Sequence, residues 1–418
     1  MIAPTSDTPR LTRTLALRVV VPFAAGYFIS FLLRSINAVI APNLMDDLRL
    51  GAADLGLLTS TFFFAFALFQ LPLGVLLDRF GPRRTESMLL MVAAAGGVVF
   101  SVSDTVGGLM VGRALLGLGV SACLMAAFTA FVLWFPGDRL PLINGVQLSA
   151  GGMGALAATQ PVEFLLGFTD WRGLFIIAAA LTTAVAILLF LAVPDRPRHG
   201  PPVTLADQWR GVAKVFTSGQ FWRIAPLTVF SQGAFLSIQS LWSGPWLRDV
   251  AGFDRGEVAA ALFLIACGVV AGFLGFGTIA ERLGRRGIKT STISVAGMII
   301  FTAVQVAIAL QWTGAALPLW ILFGFFGTTG ILMYPVLSRT FPAALAGRVN
   351  TGINLLVFLN AFAVQWAVGA IVDLWPASTA GAFAPQGYAA AFAGQAVLQV
   401  AGLFWYWLFR SRRLDPIR

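Results

Sequence analysis

Arginine inside an apolar run is the first chemistry this sequence offers. Arg34, in YFISFLLRSINAVI, and Arg113, in GRALLGLG, each sit within a stretch apolar enough to enter a lipid bilayer. A charged side chain there costs about 2.5–3.5 kcal/mol on insertion scales, so it implies a partner or a polar ligand. Counted along ideal helices, Arg34 lies about 15 residues, or about 23 Å, from the basic end of its stretch. Arg113 lies about 6 residues, or about 9 Å, from the opposite end of its own. In hydrocarbon about 30 Å thick the two reach a similar depth. A pair of buried planar forks at one level suits a carboxylate, a phosphate or a similar oxyanion. The competing account of Arg34 is snorkelling to the headgroups, or pairing with a structural carboxylate such as Glu163.

Acidic groups inside apolar stretches are scarce. Glu163, in ATQPVEFLLG, is the candidate to exchange a proton, since intramembrane carboxylates serve as proton relays. The alternative is an interfacial Glu163 capped by Arg172, and Asp373 reads as interfacial. Neutral hydrogen-bonding groups complete a plausible solute site: Asn37, Gln239 and Tyr334, with Trp242 one turn beyond Gln239 as a packing surface. Interhelical hydrogen bonding is the plainer role of most such amides, and a Trp near a helix end is often an interfacial anchor. The single histidine, His199, lies in a hydrophilic segment, which argues against a histidine proton relay. Cys123 and Cys267 fall in separate apolar stretches and suit small core positions. No His/Cys cluster with metal spacing, nucleophile elbow or Walker loop is present in the sequence, so enzyme chemistry, ATP-driven transport and a bound cofactor are not expected.

The elements that must position these groups follow from composition. Of 418 residues 58% are hydrophobic and 11% charged, far below the roughly 25% charged residues of soluble domains. Apolar runs of about 20 residues are what a membrane-spanning helix requires. Twelve are expected, near 19–41, 55–77, 86–104, 107–134, 141–163, 172–193, 222–247, 257–280, 289–311, 316–338, 349–374 and 388–409. The net charge of +10 is not gathered into a nucleic-acid-binding patch. It punctuates alternate loops, including Arg79, Arg83 and Arg84, then Arg282, Arg285 and Arg286, and both tails. The positive-inside rule then puts both termini and the central loop in the cytoplasm, in a multi-pass protein of the cell (inner) membrane. No removable signal peptide is read at the N-terminus.

The chain also repeats itself. A shift of 203 positions superposes Pro42 on Pro245, Asp46 on Asp249, Gly74 on Gly277, Asp78 on Glu281, Arg79 on Arg282, Gly81 on Gly284 and Arg83 on Arg286. Two six-helix bundles are therefore expected, residues 1–193 and 222–418, joined by a Pro- and charge-rich cytoplasmic linker at 194–221. Ser237 stands opposite Arg34 in this shift, so the cation belongs to one half only.

The strings GVLLDRFGPRR (74–84) and GTIAERLGRRG (277–287) resemble the loop signature of the major facilitator superfamily, and the likeness covers essentially the whole chain. It implies twelve helices in two bundles, a monomer, and alternating access with no cofactor. Gly74, Asp78, Arg79, Gly81 and Arg83, with Glu281, Arg282, Gly284 and Arg286, would hold the cytoplasmic side shut in one state; topology anchoring is the competing role. GRALLGLG resembles the family's helix-four stretch, in which the matching arginine, Arg113, is associated with proton coupling. The family's cavity is lined by the first and fourth helices of each half, which would put Arg34 and Arg113 on the path. The segment 27–84 resembles the anion:cation symporter branch, with Arg34 seven residues after Tyr27 and Leu33 where that branch has an acidic residue. The expectation is proton-coupled import of a small anion. The alternative, a proton-coupled exporter, would more often show GxxxGPxxGG in helix five, where this chain reads QLSAGGMGALAATQP. A membrane sensor without transport is the remaining reading.

Overall fold

In hydrocarbon every backbone N–H and C=O must be satisfied inside the chain, so apolar runs of this length become helices. A computed structural model describes residues 13–136, 139–195, 205–342, 345–376 and 382–409. His199, the basic stretch around it and both tails lie outside the described residues. The first half comprises α1 (Arg13–Ser35), α2 (Asn37–Leu48), α3 (Ala52–Val102), α4 (Val106–Val120), α5 (Cys123–Trp134), α6 (Leu140–Ala157), α7 (Gln160–Leu166) and α8 (Trp171–Ala192). After α9 (Leu205–Phe216) come α10 (Gly219–Ser237), α11 (Ser243–Asp249), α12 (Arg255–Arg285), α13 (Thr290–Ala309), α14 (Ala316–Gly327), α15 (Met333–Ser338), α16 (Ala346–Val372) and α17 (Pro385–Phe409).

Among the described residues ten stretches are long and apolar enough to cross a membrane, against the twelve expected. The difference has a local cause. The expected second and third spans are the two arms of α3, bent at Gly81, whose φ of 77° and ψ of 165° are not helical. That backbone is open to glycine at little cost, and Pro82 starts the second arm where its missing N–H does no harm. The expected fifth span is interrupted at Thr159 between α6 and α7.

The repeat is visible as matched breaks. α1 gives way to α2 at Ile36, six residues before Pro42. In the second half a π turn, Ile238–Trp242, separates α10 from α11 just before Pro245. In each case the proline cannot donate to the carbonyl four residues back, and the helix adjusts upstream of it. These breaks give the polar groups around Arg34 and Gln239 backbone geometry that a straight helix would not.

At the end opposite the basic loops the halves pack tightly. Gln365 Nε2 crosses from the second half to Thr59 Oγ1 of the first at 2.6 Å, and its backbone carbonyl accepts from Trp242 Nε1 of the same half at 3.1 Å, with the Trp242 ring against Gly56 of the first half. Asp373, at the end of α16, accepts from the N–H groups of Ala52 (3.0 Å) and Ala53 (2.7 Å) at the start of α3. A carboxylate there satisfies orphan donors and meets the positive end of the helix dipole. Arg255 pairs with Glu163 at 2.5 Å and reaches Asn43 at 3.1 Å. Toward the basic loops the aromatic contacts of α3 with α16 run as far as Phe66, stacked on Phe358 at 4.0 Å, and beyond them a cavity begins. α9 lies against α16 and α3 near the basic loops, with Val215 buried and Trp209 exposed.

Candidate functional site

The cavity has a volume of about 590 Å³ and is lined from both halves. α1 supplies Tyr27, Ser30, Phe31 and Arg34; α10 and the π turn supply Gln232 and Gln239. α15 and the residue after it supply Tyr334, Ser338 and Arg339, and α16 supplies Asn350 and Asn354. Its lining holds two arginines and no carboxylate. The Arg34 guanidinium lies 3.8 Å from the centre of the Phe31 ring, a cation–π contact, and its buried Nε has no hydrogen-bond partner. Among the described residues no ion pair is formed by Arg34. Glu163, its possible structural partner, is engaged by Arg255.

Opposite Arg34 the polar side chains order one another. The Tyr334 hydroxyl donates to Asn354 Oδ1 at 3.2 Å, the Ser338 hydroxyl to Asn350 Oδ1 at 2.5 Å, and Gln232 Nε2 to the Gly327 carbonyl at 2.7 Å. Gln239 sits on the π turn and is half-buried. Such a chamber can take an anion whose charge is met by a fork and whose hydroxyls or oxygens are met by amides.

Four expected site residues are placed elsewhere. Arg113 is fully buried behind α1, with its guanidinium beside the rings of Phe100 (5.0 Å) and Phe175 (5.4 Å) and one N–H donated to the Leu33 carbonyl at 3.1 Å. It reaches the level of Arg34 but not the cavity, because depth along a helix fixes height and not the direction faced. Asn37 is buried and does not line this cavity. Trp242 is fully buried in the packing between the halves rather than beside the chamber. Glu163 lies at the far end from the basic loops, paired with Arg255, while Arg172 instead holds Asp104 at 2.8 Å.

The sequence comparisons agree with this architecture. The Major Facilitator Superfamily model matches residues 23–364. The chain belongs to the major facilitator superfamily. Among similar facilitators, the "Probable sulfoacetate transporter SauU" of Cupriavidus necator is 25% identical over 79% of this chain and 82% of its own. The "Hexuronate transporter" of Bacillus subtilis is 25% identical over 90% of this chain and 92% of its own. Of solved structures, a bacterial homologue of the lysosomal transporter Spinster, inward-facing and unoccupied, has a TM-score of 0.74 at 17% identity, covering 97% of this chain and 100% of that one. A D-xylose–proton symporter has a TM-score of 0.73 at 16% identity, covering 96% of this chain and 98% of that one.

In this facilitator the two loop signatures fold differently. In the first, Gly74 and Asp78 are half-buried on the first arm of α3, Arg79 lies beside Phe80, and Arg83 turns to Phe190 at 4.6 Å. Arg84 pairs with Asp195 at 2.7 Å. In the second copy Gly284 stays helical and the chain turns at Gly287, whose φ is 83°. Glu281 pairs along its own helix with Arg285 at 2.6 Å, and Arg282 and Arg286 are exposed. Sequence reasoning passed over Glu86, a buried acid on the second arm of α3. It follows the Arg83–Arg84 pair so closely that it reads as part of the headgroup boundary; the signal available was its place at the start of an apolar span.

Proposed function

We propose that this facilitator is a secondary active carrier of a small organic anion, a carboxylate or sulfonate of sugar-acid size, moved by alternating access and imported with protons. The observation that carries the reading is the cavity lined by Arg34 and Arg339 with no carboxylate among its lining residues. A cleft of one sign, walled by apolar groups, concentrates ligands of the other sign. Arg34 is the principal contact, with Gln239 and Tyr334 as neutral hydrogen-bonding groups. The similarity to transporters named for hexuronate and sulfoacetate supports the same solute class.

The bundles 1–193 and 222–418 rock about this chamber, joined through 194–221, in an inner membrane with both termini cytoplasmic. With the contacts between the halves at the end opposite the basic loops, we read the arrangement described here as the one open toward the cytoplasm. The first loop signature, with Asp78 and its arginines, closes that side in the other state, and Asp78→Asn then slows turnover more than it weakens binding. The test is a thermal-shift screen of the purified protein against glucuronate, galacturonate, sulfoacetate, neutral sugars and cationic dyes, followed by uptake into proteoliposomes. Binding of an anion raises the melting temperature by mass action. Stabilisation by neutral or cationic compounds alone overturns the anion assignment.

A further inference from the structure

Glu86 is fully buried on the second arm of α3, four residues beyond Pro82, and neither carboxyl oxygen has an N–H or O–H donor. The carboxyl is pressed on the backbone of α1: a Cβ at Gly26 would run into Glu86 Oε1, and Leu90 closes the same space. The polar group against it is the buried Cys123 thiol of α5. Gln147 of α6 ties the wall together by donating to the carbonyls of Phe23 (3.1 Å) and Cys123 (3.4 Å).

No cation compensates it among the described residues. Arg83, one turn earlier on α3, lies on Phe190; Arg113 of α4 holds the Leu33 carbonyl; Arg34 of α1 lies on Phe31. Arg18, near the start of α1, donates to the Ala192 carbonyl, and Arg172 of α8 is paired with Asp104. Tyr27, the residue after Gly26, faces the solute cavity, packed edge-on against Phe31. An acid that is buried, unpaired and against the back of the helix that carries Arg34 is placed to sense where that helix sits.

We propose that Glu86 is the site where this carrier binds and releases its coupling proton, outside the solute cavity, and that it acts on the solute site through α1. This rests on the reading of the protein as a proton-coupled anion carrier. In the arrangement described here the carboxylic acid is uncharged and fits flush against Gly26. When α1 moves away while the cytoplasmic side is still open, water enters from that side, the O–H bond breaks, the proton passes to cytoplasmic water, and a carboxylate remains. A bare carboxylate cannot return to a dry wall whose one donor is the weak Cys123 S–H, so α1 regains this position only after a proton is taken up in the state open to the opposite side. One proton carried with one monoanion moves no net charge.

Two measurements separate the fate of this assignment from that of the solute. The first is infrared difference spectroscopy of the parent and Glu86→Gln in lipid nanodiscs across a pH series, without solute. The expected result is a protonated-carboxyl band that appears with falling pH in the parent and is missing in the variant. A parent series in which no band depends on Glu86 overturns the proposal, even if anion transport is confirmed. The second is glucuronate and sulfoacetate transport in proteoliposomes. Glu86→Gln loses accumulation driven by a pH gradient while retaining solute counterflow, which requires no proton release. Accumulation equal to the parent's overturns the proposal. Glu86→Asp, which keeps the acid, restores gradient-driven accumulation with a displaced pH profile and covers the case in which the glutamine variant does not fold. If the parent moves neither anion, the solute reading fails and the infrared titration still decides Glu86.

Discussion

The two intramembrane arginines have similar insertion costs and opposite surroundings, which separates their expected roles. Both carry buried nitrogens without a hydrogen-bond partner, but Arg34 lines the cavity, whereas Arg113 is enclosed away from it by two aromatic rings and a backbone carbonyl. Removing a charge-assisted contact to an anion costs about 1.5–3 kcal/mol. Arg34→Ala should therefore weaken anion affinity by about 10- to 150-fold, measured by titration in detergent. Arg34→Lys should recover little of this, since a point charge cannot replace a bidentate fork. Arg113→Ala should instead lower thermal stability, because it frees the Leu33 carbonyl and empties a packed site. Unchanged affinity in both Arg34 variants, with normal elution profiles, would make Arg34 structural.

At the scale of elements, the two loop signatures differ in how the chain turns. Gly81 has φ 77° and Gly284 is helical with open space around its Cβ position. An alanine at a left-handed position costs about 1–2 kcal/mol, whereas glycine inside a helix is itself about 0.8–1.0 kcal/mol worse than alanine. Gly81→Ala should thus lower the melting temperature, and Gly284→Ala should leave it unchanged or raise it. Equal effects would show that the two turns are interchangeable. The kink also explains why a count of apolar runs and a count of long helices disagree: a reversal made by a single glycine leaves no loop to separate α3 into two elements.

For the whole molecule, contacts between the halves gather at the end opposite the basic loops. Asp373 caps the first turn of α3, and Glu163 pairs with Arg255 while half of that arginine remains exposed. An exposed pair of this kind is worth about 0.2–1 kcal/mol, so Glu163→Gln should shift the access equilibrium only a few-fold. Asp373→Asn removes the charge from two N–H contacts and should shift it further. The measurement is labelling of a cysteine at position 239, in a background lacking Cys123 and Cys267, by an impermeant maleimide added from the side opposite the basic loops. Labelling should rise in the order parent, Glu163→Gln, Asp373→Asn. No rise in either variant would remove these contacts from the seal between the halves.

The sequence by itself determined the class of molecule and the reach of its helices, because hydrocarbon tolerates only apolar, internally hydrogen-bonded segments. It also paired Pro42 with Pro245, while the helix breaks before them appeared only in the structure. Arg34 was legible for a similar reason: a charge in an apolar run is costly whatever surrounds it. What each group faces was settled by tertiary structure. The position of Arg113 behind α1 depends on the azimuth of its helix, and that is set by packing of α4 against α3 and α1. Asp373 and its N–H partners are 320 and 321 residues apart, so nothing near either one announces the contact. Glu86 is marked only where three helices close around it, since a carboxyl one turn from a basic loop is ordinary until its neighbours exclude both water and cations.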